Sequence, residues 1–220
     1  EKIIELEIWN CHSGFSFDRR YPKLPFEKNK SITFGSFNNF LKISDEVVRT
    51  WSKILTRVEN SKLILKSSFS YQKDKVISKF KKYGVEKKLE FFERQNYENV
   101  EDHLRLYENI DIGLDTFPYN GVTTTFEALW CGVPVLVMKG YNFNSRCGES
   151  IVKNGNIEYF LAENEDQYVE KAIYLSNNIE NLELERKSMF NNILNTPLFN
   201  SERFAENLKN ELLKIYKKNI

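Results

Sequence analysis

The sequence predicts an α/β fold, a doubly wound Rossmann-like parallel sheet followed by C-terminal helices. Three observations carry this reading. Short apolar runs alternate with stretches of about ten residues that have helical periodicity, as βαβ units require. The runs are continuous rather than alternating, as in a sheet covered on both faces. The chain has 220 residues, 41% of them hydrophobic, which suffices for one large core plus an extension.

Residues 1–30 carry Pro22, Pro25 and mixed charges with no sustained period, and read as a lead-in or linker from an upstream part. Glu1 in place of a start methionine fits an excised piece of a longer chain. Ser31–Phe37, rich in β-branched and aromatic residues, is the first strand. Ser44 is placed to cap a helix whose first turn holds Asp45 and Glu46. Along that helix Val47, Val48, Trp51, Ile54, Leu55 and Val58 recur as one stripe.

The alternation then repeats. Leu63–Leu65 is a strand, and Lys73–Tyr83 a helix closed by Gly84. Leu89–Phe92 is a strand, Asn99–Asn109 a helix, and Ile110–Leu114 a strand. Thr124–Cys131 is a helix, Val133–Met138 a strand, and 145–154 a helix. Glu158–Ala162 is a short strand and Glu165–Ser176 a helix. Residues 31–178 thus form the Rossmann-like domain and residues 179–220 a helical tail. The tail holds helices over Ile179–Leu194 and Ser201–Lys218, broken at Asn195-Thr-Pro197. In the last helix Phe204, Leu208, Leu212 and Ile215 make a stripe that packs on this domain or on a partner domain.

Charge and composition exclude several functions. There are 32 basic and 31 acidic residues, a net charge of +1, which argues against a nucleic-acid partner. No run of 18 apolar residues exists, so no membrane span is expected. Cys11, Cys131 and Cys147 lack CxxC spacing and read as reduced thiols of a cytoplasmic protein. His12 and His103 are too far apart in sequence for a metal cluster, so neither metal nor cofactor is expected.

Ligands of an open parallel sheet bind at the carboxyl ends of its strands, beside helix N-termini. The loop after the first strand, Gly35–Lys42, has neither GxGxxG nor a GK[ST] ending and no acidic pair. It does offer Asn38, Asn39 and Lys42, amides and an ammonium suited to a phosphate, though Asn also forms turns and Lys also sits on surfaces. The loop after the fourth strand is richer. Pro118 and Asn120-Gly121 make a turn, and Thr123, Thr124 and Thr125 follow at the helix start. One threonine suffices as a cap. Three, together with open backbone N–H groups and the positive dipole end, make a diphosphate cradle. Glu127 stands at i+3 from Thr124, on the same face, where it meets ribose hydroxyls or simply favours the helix dipole. His103, early in its helix, lies on the same sheet edge, as a ligand contact or an ordinary helical histidine. Arg146 meets an anion or pairs with Glu149 at i+3.

Together the segments resemble a known family. Phe34–Ile43 resembles the opening of the C-terminal catalytic half of protein O-GlcNAc transferases. Asp115–Pro134 is similar to that family's donor-binding signature, especially in its bacterial and SPINDLY-like members. Asn144–Gly148 and Thr196–Asn200 are similar to later landmarks, and the likeness covers about residues 30–218. It implies a GT-B architecture of two Rossmann-like domains with a TPR arm upstream, of which this chain is the second, nucleotide-sugar-binding domain. It also implies UDP-GlcNAc or another UDP-sugar as substrate, a protein acceptor, and an inverting, metal-independent transfer to Ser or Thr hydroxyls.

Residue by residue, the resemblance implies that Lys42 meets the diphosphate and is the catalytic residue, with Gly121, Thr123, Thr124 and Thr125 lining the same cradle. Asn39 replaces a glutamine of many members and keeps a shortened contact. Glu127 matches the ribose-contacting acid, and His103 a histidine of the uridine site. Residues 95–99 are expected to present backbone to the uracil edge. Val122 and Val100 replace a histidine and a lysine of animal members, so those contacts are lost. The family's acceptor-side histidines lie in the other domain, so this piece alone is expected to be inactive. Two other readings stay open: a GT-B transferase using UDP-glucose, and a degenerate non-catalytic binding module.

Overall fold

A computed structural model of the chain describes residues 6, 8–16, 18–66, 70–93 and 99–218. Six strands, β1 (Ile32–Ser36), β2 (Ser61–Lys66), β3 (Leu89–Phe92), β4 (Ile112–Leu114), β5 (Val135–Met138) and β6 (Leu161–Ala162), pair in the order β3-β2-β1-β4-β5-β6. Every pairing is parallel. The order reverses between β1 and β4, which pair through Phe34 with Ile112 and Gly35 with Gly113. That reversal opens a crevice at the carboxyl ends of those two strands.

The described helices are α1 (Pro25–Asn29), α2 (Asp45–Arg57), α3 (Ser70–Lys81), α4 (Val100–Arg105), α5 (Thr123–Trp130), α6 (Cys147–Asn154), α7 (Glu165–Asn177), α8 (Ile179–Asn192) and α9 (Ser201–Lys218). Ser44 caps α2 by accepting from Val47 N–H, and all six residues of the expected stripe are buried. Trp51, Ile54 and Leu55 are completely enclosed, each contributing about 1.5–3 kcal/mol of hydrophobic stabilisation. Gly84, at φ +71°, takes the left-handed conformation that ends α3.

Most element boundaries shift from expectation by one to three residues, and three differences have a local reason. Residues 158–160 form a 3₁₀ turn, and strand pairing begins only at Leu161, opposite Val137. The helix expected to run to Asn109 tightens to 3₁₀ at Leu106–Asn109. The lead-in contains α1, opened by Pro25, whose fixed φ suits a first helical turn. That lead-in also packs on the domain, with Ile8 and Leu24 buried in the core. Arg19 bridges Trp130 O (2.9 Å) and Phe190 O (3.0 Å).

The stripe of α9 separates into two parts. Phe204 packs against the core, while Leu212 and Ile215 are 51% and 38% exposed. The three cysteines are free thiols. No helix among the described residues is long and apolar enough to cross a membrane.

Candidate functional site

The loops leaving β1 and β4 meet over the crevice. After β1, Asn38 is buried and Asn39 caps a 3₁₀ turn (Phe40–Lys42), its Oδ1 accepting from Leu41 N–H at 2.9 Å. The Asn39 carbonyl oxygen is therefore used locally. Lys42, at the end of that turn, reaches across to the second loop. Its Nζ donates to Asn120 O (2.8 Å) and stands 4.3 Å from the centre of the Tyr119 ring. Burial pulls the Lys42 ammonium below the usual lysine range, while the nearby Asp115 carboxyl opposes that pull.

The second loop is held by side chains that grip backbone. Asn120 donates to Thr116 O (2.9 Å) and accepts from Gly148 N–H (3.1 Å), tying the loop to α6. The Phe117–Pro118 peptide is cis. Gly121 N–H donates to Asp115 Oδ1 at 2.7 Å. A Cβ on Gly121 would stand 2.5 Å from Thr124 Oγ1 and 2.8 Å from Asn38 Oδ1, so only glycine fits without displacing both.

Each of the three threonines takes a different position. Thr123 is exposed. Thr124 Oγ1 donates to Asn38 Oδ1 (3.0 Å), and buried Thr125 donates back to Gly121 O (3.2 Å). None of them caps α5. Val122 occupies the cap position and supplies no side-chain bond. Backbone bonds onto Val122 O come from Thr125 and Phe126, one turn in. The start of α5 thus presents its dipole and leading N–H groups to the crevice without a side-chain cap.

Beside this anion end lies a cluster built on Glu127. Its Oε2 accepts from Tyr107 Oη (2.8 Å) and lies 3.1 Å from His103 Nε2. His103 Nδ1 lies 3.2 Å from Lys66 Nζ. An ammonium can only donate, so the network assigns the ring proton to Nε2, toward Glu127. Burial alone would raise the Glu127 carboxyl, but hydrogen bonds from His103 and Tyr107 and the Lys66 charge outweigh it and hold it below the usual range. Burial likewise pulls Lys66 down, opposed by Glu127.

The structure therefore brings Lys42, Gly121, Thr123, Thr124, Thr125, Glu127 and His103 to one edge, with Asn39 on its rim. Arg146 takes the other course open to it, pairing with Glu149 at 2.8 Å. Of the loop expected at the uracil edge, residues 95–98 lie outside the described residues, and Asn99 caps α4. Asp115, Lys66 and Tyr107 are the site residues that sequence reasoning missed. Asp115 and Lys66 stand at strand carboxyl ends, and that placement was the available signal.

Gly121→Ala is expected to lower the melting temperature by about 2–12 °C, because the methyl occupies the space of the Thr124 hydroxyl and the Asn38 amide. Differential scanning calorimetry checks this, and an unchanged melting temperature would show that the loop accepts the methyl without displacing either side chain.

Comparisons with known proteins bear on the family and the fold. The model of glycosyl transferase family 41 matches residues 18–208. The chain is similar to the "Probable UDP-N-acetylglucosamine--peptide N-acetylglucosaminyltransferase SPINDLY" of Solanum lycopersicum, 35% identical over 189 residues and 84% of this chain. Its counterpart of the same name in Petunia hybrida is 37% identical over 191 residues, again 84% of this chain. The chain spans 20% of the length of each of these relatives. Among solved structures, a lysine-to-methionine variant of the Thermobaculum terrenum O-GlcNAc transferase superposes with a TM-score of 0.75 at 26% identity. That likeness covers 91% of this chain and 38% of the other. A six-stranded parallel sheet, a basic and hydroxyl-lined crevice at its switch point, and a family match over most of its length place this chain in glycosyl transferase family 41.

Proposed function

We propose that this chain is the nucleotide-sugar-binding half of an inverting, metal-independent glycosyltransferase that moves GlcNAc from UDP-GlcNAc to Ser or Thr hydroxyls of proteins. The observation that carries the reading is the convergence of Lys42 with the uncapped, threonine-bearing start of α5. These groups suit a diphosphate and stabilise the charge that grows on it as it leaves. The names of the relatives supply the sugar and the peptide acceptor.

In the proposed reaction an acceptor hydroxyl attacks the anomeric carbon, the bond from that carbon to the diphosphate oxygen breaks, and UDP departs. The acceptor's proton passes to a base outside this chain. Lys42 and the α5 N–H groups bind and neutralise the leaving diphosphate, supplying the positive charge that a metal ion supplies elsewhere. Glu127, braced by His103 and Tyr107, accepts from ribose hydroxyls. A second GT-B domain, an upstream TPR arm and a cytoplasmic setting complete the proposal.

Titration with UDP-GlcNAc, UDP-glucose and GDP-mannose tests it. Selective binding of the uridine donors with a preference for GlcNAc is the expected outcome. A preference for UDP-glucose would reassign the sugar, and a preference for GDP-mannose would overturn the reading.

A further inference from the structure

Asp115, at the carboxyl end of β4, is a completely buried carboxyl that the mechanism above does not use. Its Oδ1 accepts from Gly121 N–H (2.7 Å), Thr116 N–H (2.9 Å) and Asn38 Nδ2 (3.1 Å). Its Oδ2 has no hydrogen-bond partner among the described residues. Because Asn38 turns its Nδ2 to the carboxyl, it must turn its Oδ1 to Thr124, whose hydroxyl donates to it at 3.0 Å. In this arrangement the Thr124 proton points away from the crevice, and only lone pairs face an incoming anion.

We propose that Asp115, Asn38 and Thr124 form a reversible hydrogen-bond relay that decides whether the Thr124 hydroxyl offers its proton to a bound diphosphate, so that donor binding is coupled to one proton on Asp115. The inference rests on the donor-binding reading given above. When Asp115 takes a proton from solvent on Oδ1, the oxygen that faces Asn38, that O–H donates to Asn38 Oδ1 once the amide turns over, and the Gly121 and Thr116 N–H groups stay on its lone pairs. Asn38 Nδ2 then donates to Thr124 Oγ1, and the Thr124 proton turns outward to a phosphate oxygen. One proton is taken up, no other covalent bond changes, and a negative charge behind the cradle is removed. Asp115 is thus a positioning residue acting through Asn38.

The surroundings favour such a proton. Burial pushes the Asp115 carboxyl up to about 7, against the opposing hydrogen bonds from Gly121, Thr116 and Asn38 and the charge of Lys42. The titratable groups that face it are Lys42 from the 3₁₀ turn, Cys147 at the start of α6, and Tyr168 of α7, which donates to Asp115 O at 3.0 Å. Burial raises both Cys147 and Tyr168, so neither ionises before Asp115.

The test is the affinity of this chain for UDP-GlcNAc and UDP-glucose between pH 6 and pH 8.5, read by calorimetry. Their diphosphates carry no group that titrates in that range. For the wild type, affinity is expected to fall about tenfold as pH rises through the Asp115 transition. Asp115→Asn, which removes the titrating proton and the charge together, is expected to bind with no pH dependence between pH 6 and pH 8.5. Thr124→Val, which keeps the shape and removes the hydroxyl, is expected to bind more weakly and to keep only the smaller pH dependence that the Asp115 charge exerts directly, and a pH dependence as large as the wild type's would overturn the relay. A donor-free measurement stands beside these. An acid raised in the fold makes the wild type lose stability relative to Asp115→Asn between about pH 4 and pH 7, with no further loss above. Intact donor binding that is pH-independent in the wild type would overturn the relay and leave the donor reading standing. A normal stability profile with no donor binding at any pH would overturn both.

Discussion

Lys42→Ala is expected to lower UDP-sugar affinity about 10- to 100-fold while moving the melting temperature by no more than about 2 °C. The affinity loss follows from the chemistry of the contact. A charge-assisted hydrogen bond to an anion contributes about 1.5–3 kcal/mol, and Lys42 is the ammonium placed on the β4–α5 loop. The small stability change follows from what remains. Asn120 stays fastened through its side chain to Thr116 O and Gly148 N–H, and Gly121 N–H stays on Asp115. The loop thus keeps its shape without Lys42. Differential scanning calorimetry beside a donor titration checks both halves, and a large loss of stability with intact binding would assign Lys42 to the fold instead.

Arg186→Met is expected to do the reverse, costing about 3–5 kcal/mol of stability and leaving the crevice chemistry unaltered in any molecule that folds. Arg186 of α8 is completely buried, and its Nη1 donates to Ile110 O (2.9 Å) and Asp111 O (2.6 Å) at the foot of β4. The Asp111 carboxyl accepts from Phe26 N–H (3.0 Å) and Thr33 N–H (2.8 Å), tying α1 and β1 to the same point. Methionine fills much of the volume but leaves the Ile110 and Asp111 carbonyl oxygens without their charged donor and the Asp111 carboxyl with less opposing charge. Burial already raises the Asp111 carboxyl, and the Arg186 charge is among the forces opposing that rise. Thermal unfolding should show a fall of about 6–20 °C. A change under about 2 °C would mean that the Asp111 backbone contacts suffice alone.

The parts of this molecule that local rules govern were legible in the sequence. The α2 stripe from Val47 to Val58, the Ser44 cap, the limits of β3 and of α9, and the glycine after α3 all follow from periodicity, capping and backbone freedom. Residues 158–160 were misread because an apolar run looks alike in a 3₁₀ turn and a short strand, and pairing with β5 decides between them. At the site, Lys42, Gly121, Thr124 and Glu127 were visible because they sit in two loops whose amides, hydroxyls and charges exceed what turns and caps need. The threonines were legible as a group but not in their individual parts. Which hydroxyl turns to Asn38 and which to Gly121 O depends on contacts 86 and 4 residues apart. Asp115 was hidden for the same reason. An aspartate before a Thr-Phe-Pro turn reads as a turn former, and only the packing of β4 against α6 and α7 encloses it. Lys66 and Tyr107 reach His103 and Glu127 over separations of 37 and 20 residues, which no local pattern records.

The central claim is that the crevice between the β1 and β4 loops holds a nucleotide diphosphate. Its most direct test is NMR mapping of UDP onto the backbone amides of this chain, with Lys42→Ala alongside. The expected result is a saturable shift of the amides of Asn38–Ile43 and Gly121–Glu127, with His103 moving in step, and its loss in the variant. Shifts centred elsewhere on the molecule, or the same shifts undiminished in Lys42→Ala, would contradict the account.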